Sequence, residues 1–448
     1  RAALRQIIQL SEVGRKQGNR SNQKMQLQII ENIFAEICRI EAITGSTKIL
    51  SSLKPQGMIT VTEARETISA HCAASSITQV SLQHAVGLVL AETIFAPIDV
   101  PPFDQSAMDG YAFSFGDWDG NSDLTVTDLI QTGEYYSGTL KPGEVLRIFT
   151  GAALPSCADT VVIQENVMAD GRRIKINDKK LNKGNNVRLL GSQTKKGAQI
   201  LKKGHLLTPA SVAFIAGFGI ESVEVYSDPL VSIITTGKEL VKPGEALTSG
   251  KIFESNSFGL NAALLQMGIP PHSIEVVDDD EVKIMTAIKR QLSSNFLLLT
   301  GGVSVGDFDF VSTALEKCGV QKVFHKVKQK PGKPFYFGVH HHTLVFALPG
   351  NPASALTCFY EYIADAIGCF TQKTYFKKLQ LPLENPFTKK PGLTLFLKGK
   401  ISPNGVTILH DQESYKMNSF AEADCIIELA EQREQFYAGG TVNLRMIG

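Results

Sequence analysis

No apolar run in this 448-residue chain approaches the ~20 residues that span a bilayer, and no signal-peptide pattern opens it. Charge of one sign is also missing. A net charge of +1 gives no whole-protein case for nucleic acid or membrane binding. The seven cysteines lie far apart, with no Cys-x-x-Cys and no Cys/His cluster at zinc spacing. They read as reduced thiols, small buried hydrophobes in a cytosolic protein. The expectation is a soluble, cytoplasmic protein with neither nucleic acid nor membrane as partner. Charged residues make up 20% and hydrophobic ones 43%, so the chain can bury a core. Its length suggests about three domains of ~150 residues.

What is present is a set of three glycine-bearing turns, each after a β-type apolar run. They are Ser232-Ile-Ile-Thr-Thr-Gly-Lys-Glu-Leu240, Phe296-Leu-Leu-Leu-Thr-Gly-Gly-Val-Ser-Val-Gly-Asp307 and Leu344-Val-Phe-Ala-Leu-Pro-Gly-Asn-Pro-Ala-Ser354. Short, near-continuous apolar runs mark buried parallel strands. In open α/β sheets ligands sit outside the carboxyl ends of such strands. Three such loops on one sheet would pool backbone N–H donors and helix N-termini around an anion.

The texture of the chain divides it into parts. Residues 1–57 are read as a helical extension, richer in Lys/Arg than in acids, with no assigned role. The chain begins at Arg1 without an initiator methionine, which leaves room for this segment to be the end of something longer. At Met58-Ile-Thr-Val-Thr-Glu-Ala-Arg65 a new beginning appears, with Thr60 or Thr62 as cap of a helix over 63–70. A second amphipathic stretch follows over Val80–Glu92. Residues 58–102 and 189–228 are read as a mixed N-terminal domain, and 103–188 as an inserted antiparallel β domain. Over 229–377, strand, loop and helix alternate as in a doubly wound, parallel α/β domain. Residues 378–448 return to short β runs, read as a β-barrel-like domain.

Several segments can carry chemistry. The loop Gly301-Gly-Val-Ser-Val-Gly-Asp-Phe-Asp309 has glycines where backbone must approach a ligand, a donor in Ser304, and carboxylates in Asp307 and Asp309 able to bind a hard cation. In Lys326-Val-Lys-Gln-Lys-Pro-Gly-Lys-Pro334 a Pro-Gly turn holds Lys330 and Lys333 as a clamp for a tetrahedral anion. In Leu348-Pro-Gly-Asn-Pro352, Asn351 is the expected helix cap and Pro352 the first helical residue. Glu239 follows the first turn. Asp278 ends a strand in Val276-Val-Asp-Asp-Asp280 and pairs with Asp309 as a magnesium site, while Asp279 and Asp280 read as solvated loop acids. Earlier in the chain, a hairpin turn is expected at Asp109-Gly110. Thr150 sits on the glycine turn of Arg147-Ile-Phe-Thr-Gly151.

Taken together, the motifs resemble the molybdopterin molybdenumtransferase family, the MoeA-type molybdenum insertases, and the related E domain of gephyrin. The resemblance is carried, in family order, by Ser106-Ala-Met-Asp-Gly-Tyr111, Arg147-Ile-Phe-Thr-Gly-Ala152, Thr235-Thr-Gly-Lys-Glu-Leu240, Ser255-Asn256, Thr300-Gly-Gly-Val-Ser-Val-Gly-Asp307, Lys330-Pro-Gly-Lys-Pro334 and Leu348-Pro-Gly-Asn-Pro352. It implies a homodimer formed through the mixed domain, with a molybdopterin-binding α/β domain. It also implies a magnesium-dependent reaction in which molybdate enters adenylylated molybdopterin and AMP leaves. By the resemblance, Asp109, Thr150, Glu239, Asp278, Asp309, Lys326 and Lys330 are catalytic, with Asp278 and Asp309 binding magnesium. Gly301, Gly302, Ser304, Lys333, Pro349, Gly350, Asn351, Pro352, Lys398 and Ser414 bind substrate. The chain departs from the family pattern at Lys238, at Ser192 and Gln193, and at Lys398, where an arginine is usual. A gephyrin-like scaffold and a non-catalytic pterin- or nucleotide-binding relative are the alternatives.

Overall fold

The computed structural model describes residues 57–302 and 310–448. By internal contacts the chain separates into two units, Arg1–Met58 and Ile59–Gly448. The helical extension expected over residues 1–57 lies, Gly57 aside, outside the described residues. The second unit opens with α1, Val61–His71. A reciprocal capping box starts it: Glu63 N–H donates to Thr60 Oγ1 at 3.2 Å, and Thr60 N–H donates to Glu63 Oε2 at 2.7 Å.

The amphipathic stretch over Val80–Glu92 is not a helix. It begins inside strand β1 (Ile77–Ser81) and continues as one 3-10 turn, Leu82–His84. β-Branched Ile77, Thr78 and Val80 favour extended backbone. An antiparallel partner at Ser222–Tyr226 fixes it.

The next sheet contains β2 (Gly110–Phe113), β3 (Leu124–Ile130), β4 (Glu144–Ile148), β5 (Thr160–Ile163), β6 (Val167–Asp170) and β7 (Arg173–Ile176), in the order β5-β2-β4-β3-β7-β6. The expected all-antiparallel character is corrected here, because β3 and β4 run parallel. The segment between them is too long for a tight hairpin and returns the chain to its starting edge. Asp109-Gly110 is no hairpin turn either. Gln105–Ser106 pairs away with Val187–Arg188, and Gly110 begins β2. A Cβ at Gly110 would lie 2.0 Å from the Val162 carbonyl oxygen, which is the reason for glycine there.

After β8 (Ser222–Tyr226), the α/β part contains β9 (Val231–Thr236), α2 (Asn256–Gln266), β10 (Ser273–Val277), α3 (Glu281–Gln291), β11 (Phe296–Thr300), α4 (Phe310–Lys317), β12 (Gln321–Lys326), the short β13 (Gln329–Lys330), β14 (Pro334–His340), β15 (Thr343–Leu348), α5 (Pro352–Cys358) and α6 (Ala364–Thr371). Its sheet runs β10-β9-β11-β15-β14-β12, parallel from β10 to β15 and antiparallel thereafter. Alternate residues face opposite layers. Ile233, Phe296, Leu298 and Phe346 pack with Leu260 and Leu264 of α2. Ile234, Leu297, Leu299 and Val345 pack with Ile284 and Ile288 of α3 and Leu315 of α4. Helices therefore cover both faces. A π-helical turn, Phe359–Ile363, joins α5 to α6.

The C-terminal sheet contains β16 (Lys378–Pro382), β17 (Thr394–Ser402), β18 (Gly405–Ile408), β19 (Cys425–Leu429) and β20 (Thr441–Met446). Its order is β13-β17-β19-β20-β16, with β18 on β17 and a bridge from Val406 to Leu383 just past β16. The lysine-bearing β13 thus belongs to this sheet. Arg445 of β20, 2% exposed, donates to both carboxylate oxygens of Asp365 at 2.8 Å and to Glu361 at 3.2 Å. Glu361 also accepts from Arg65 of α1 at 2.6 Å. This network fastens α1, the π-turn and the last sheet together.

Candidate active site at the carboxyl edge of the parallel sheet

The register of the parallel strands sets three turns side by side. Thr235 of β9 lies opposite Thr300 of β11, and Thr300 opposite Leu348 of β15. Gly301 has φ +93°, and a Cβ there would sit 2.0 Å from Thr236 O; Gly350 lies on its other side, with a Cβ built there 3.8 Å from Gly301 Cα. Only a glycine allows this approach. Gly302 follows at φ +60°. Asn256, first residue of α2, fastens the turns by donating at 2.8 Å to both Thr300 Oγ1 and Gly350 O.

Polar atoms at this edge are left without partners among the described residues. The Thr235 and Thr236 hydroxyls, Asn256 Oδ1 and Asp279 Oδ1 are all buried and unbonded. Each such atom costs about 1–3 kcal/mol. Their concentration beside glycine turns marks a place built for a polar ligand. None of the four is among the site residues expected from sequence, although Thr235, Thr236 and Asn256 stand in motifs that carry the resemblance and Asp279 reads there as a solvated loop acid.

The acids at the end of β10 differ in setting. Asp278 is exposed and bonded to Lys283 at 2.5 Å, so Lys283, with Lys251 and Lys238 nearby, holds its carboxyl below the usual range. Asp279 is the inward acid: its Oδ2 accepts from Lys238 N at 3.4 Å, and its free Oδ1 lies beside Gly302. Asp280 caps α3 by accepting from Lys283 N at 2.9 Å. The strand ends at Val277, and Asp280 N donates to Asp278 O at 2.7 Å, so Asp279 sits at the tip of a tight turn. Glu239 is exposed on the first turn, and its backbone carbonyl accepts from Ile252 N. Ser304, Asp307 and Asp309 lie outside the described residues.

The lysine loop is held from below by Gln329, fully buried, whose Nε2 donates to Pro331 O at 3.0 Å and Gly332 O at 3.1 Å. Tyr362 of the π-turn donates to its Oε1. Gly332 has φ +84°, and a Cβ there would meet Cys358 Sγ at 2.7 Å. Lys330 and Lys333 therefore project from a fixed turn, both exposed, while Lys326 at the end of β12 is half-buried. Positioning comes from Gln329 as well as from the prolines.

The third turn also departs from expectation. Asn351 occupies the cap position of α5 and Pro352 its first turn, but the Asn351 side chain makes no capping bond. Its Nδ2 donates instead to Ser414 Oγ at 2.8 Å, and Pro349 O accepts from Thr300. Lys398 of β17 is 1% exposed, and its Nζ has no partner among the described residues. Burial lowers its pKa to about 8, against the opposing pull of Glu413 and Asp411. Asp109 and Thr150 form a pair elsewhere. Asp109 Oδ1 accepts from Thr150 N at 2.8 Å and Thr150 Oγ1 at 2.7 Å, which holds its carboxyl below the usual range. Among the described residues, no hydrogen bond joins this pair to the three turns.

A parallel sheet with glycine turns, unpartnered polar atoms and fixed lysines at its carboxyl edge defines an α/β protein with appended β sheets and a polar site at that edge. Comparison with known families makes this specific. Residues 59–219 match the MoeA N-terminal region (domains I and II), 232–368 a probable molybdopterin binding domain, and 380–445 the MoeA C-terminal region (domain IV). The molybdopterin molybdenumtransferase of Haemophilus influenzae is 34% identical over 400 residues, covering 86% of this chain and 98% of that protein. The Synechocystis protein of the same name is 32% identical over 392 residues, covering 85% and 98%. The solved molybdopterin biosynthesis MoeA protein of Pyrococcus horikoshii superposes with a TM-score of 0.76 at 28% identity, covering 88% of this chain and all of that one. The chain belongs to the MoeA, or molybdopterin molybdenumtransferase, family.

Proposed function

We propose that this protein is a molybdopterin molybdenumtransferase, which inserts molybdate into adenylylated molybdopterin and releases AMP in molybdenum cofactor biosynthesis. The observation that carries the reading is the convergence of Gly301, Gly350 and Asn256 with the unbonded Thr235, Thr236 and Asp279 atoms at one sheet edge. Backbone donors and hydroxyls there suit phosphate oxygens. Lys330 and Lys333 supply positive charge to a tetrahedral oxyanion, and the turn pinned by Gln329 limits the reorganisation needed to bind it. Lys398 and Ser414 complete this subsite from the last sheet.

Magnesium fits the residues present. The buried, unpartnered Asp279 Oδ1 suits a hard cation, and Asp309 and Glu239 are further candidates. Among the described residues no group of three or more His, Cys, Asp and Glu is gathered to hold a metal. Substrate phosphates and water would therefore complete the ion's shell. When bound, the ion would supply charge neutralisation at the phosphoanhydride. Asp279 would orient it, and Lys326 and Lys330 would offset the charge of the departing AMP.

In our reading the protein acts as a homodimer, the Asp109–Thr150 pair of one protomer completing the site of the other. The α/β part is read as doubly wound and the last sheet, with its Val406–Leu383 bridge, as barrel-like. The test is incubation of purified protein with adenylylated molybdopterin, molybdate and magnesium, reading AMP release and cofactor formation. Tight binding of the pterin without product would sink the transferase reading and leave a binding protein.

A further inference from the structure

Lys398 is a buried amine on β17, the strand that pairs with the lysine-bearing β13. Its backbone is clasped by Gln412: Lys398 N donates to Gln412 Oε1 and Gln412 Nε2 donates to Lys398 O, both at 2.9 Å. Two residues on, Ser414 is bonded to Asn351 of the third turn. One short segment thus links Lys398 to the active-site edge. Alternation on β17 puts Lys398 on the side of Phe396, which packs in the core of the α/β part, and not with Leu397, which packs inside the last sheet.

On the paired β13 and its turn, Lys330 and Lys333 are exposed, while the other charged groups around Lys398 are mostly committed to each other. In the segment after β18, Lys416 binds Asp411 at 2.5 Å and Glu413 at 3.3 Å, and His410 adjoins Asp411. On the neighbouring β19, Glu428 pairs with Arg65. On β20, Arg445, opposite Ile426, is taken by Glu361 and Asp365. Further along β17, Lys400 pairs with Asp424. Asp411 and Glu413 favour a charged Lys398 only through space, with no bond. A lysine in this setting loses its proton readily, whereas an arginine would stay charged.

We propose that Lys398 makes oxyanion binding proton-coupled: the tetrahedral dianion binds to the form whose Lys398 Nζ is an ammonium, and binding to the neutral form takes up one proton. The inference rests on the oxyanion reading of the site given above. The dianion supplies the hydrogen-bond acceptor and the counter-charge that the buried Nζ lacks. Because the free amine gives up its proton at about 8, coupling is felt in mildly alkaline solution.

The test is calorimetric titration of the full chain with molybdate alone, from about pH 7 to about pH 9.5, in two buffers of different ionisation enthalpy. Affinity of the unaltered protein should fall by about tenfold per pH unit above about pH 8, with uptake approaching one proton per site. Lys398→Arg should bind with little pH dependence and no uptake. Equal pH dependence in both proteins, or no uptake by the unaltered protein, overturns the inference alone. Absence of molybdate binding across the range, with both proteins folded by circular dichroism, overturns the oxyanion reading and this inference with it.

Discussion

Asn351 Nδ2 donates to Ser414 Oγ at 2.8 Å, spending on a distant segment the side chain that a helix cap would use locally. The backbone N–H groups at the start of α5 are therefore left free of a side-chain cap, facing the edge where Gly301 and Gly350 meet. Uncapped N–H groups at a helix start are donors for an anion. The bond gives up local helix stability and gains a fixed relation between the third turn and the segment that carries Gln412 and Ser414.

Ser414→Ala should accordingly raise KM for the pterin substrate by about fivefold, with kcat changed little, since one neutral hydrogen bond contributes about 1 kcal/mol. Asn351→Ala should do at least as much, and the double variant should be no worse than the poorer single. Steady-state AMP release on all three closes a double-mutant cycle. Full additivity of the two single effects would show that the bond does not couple the segments.

Asp279 and Asp278 separate sharply by position. Asp279→Asn is expected to reduce turnover by about 100-fold or more, with a raised magnesium requirement, because it removes a charge aimed at the cation and phosphates. Asp278→Asn should retain most activity, since Asp278 is exposed and engaged by Lys283. AMP release over a magnesium series checks both. A reversed ranking would restore the assignment of Asp278.

The strands and their carboxyl-end turns were legible because buried parallel strands are short apolar runs: Val231–Thr236, Phe296–Thr300 and Thr343–Leu348 need no partner to be seen. Strand β10 was harder. On this edge strand Ile274 and Val276 are exposed while Glu275 is half-buried, so hydrophobicity does not tell which of the acids that follow turns inward. The parallel β3–β4 pair and the Asn351–Ser414 bond were illegible for another reason. Both depend on segments far apart in the chain, and no local propensity encodes them. Gln329 was passed over because an uncharged amide between lysines looks like solvent-facing loop, yet it is fully buried beneath them.

Gly301→Ala tests how closely the first two turns must approach. The added Cβ would lie 2.0 Å from Thr236 O, a backbone atom that cannot swing aside, and φ is +93°. Overpacking costs about 1–3 kcal/mol, and a left-handed non-glycine residue about 1–3 kcal/mol more. The variant should show a urea midpoint lowered accordingly and turnover reduced at least tenfold. Gly302→Ala also meets a side chain, Val311 Cγ2 at 2.8 Å, which can shift. It should therefore lose less stability than Gly301→Ala, and equal losses would remove backbone contact as the cause.

Asp365 should govern part of the acid limb of stability. Burial alone would raise its carboxyl pKa, but the two bonds from Arg445, with its charge and that of Lys378, outweigh burial and hold it below the usual value. A folded-state pKa below the unfolded value of about 3.9 means the unfolded chain binds more protons between the two. The contribution is therefore fully present above about pH 4 and disappears as pH falls through the lowered folded value. Thermal unfolding from about pH 7 to about pH 2 should show a steeper acid decline in the unaltered protein than in Asp365→Asn. The variant should also melt lower near neutrality, where Arg445, 2% exposed, keeps its charge with less to offset it. Other carboxylates with lowered values, Asp159 and Asp424 among them, preserve some acid dependence in the variant. An unchanged acid slope together with an unchanged melting point near neutrality would mean that Arg445 is held by Glu361 alone.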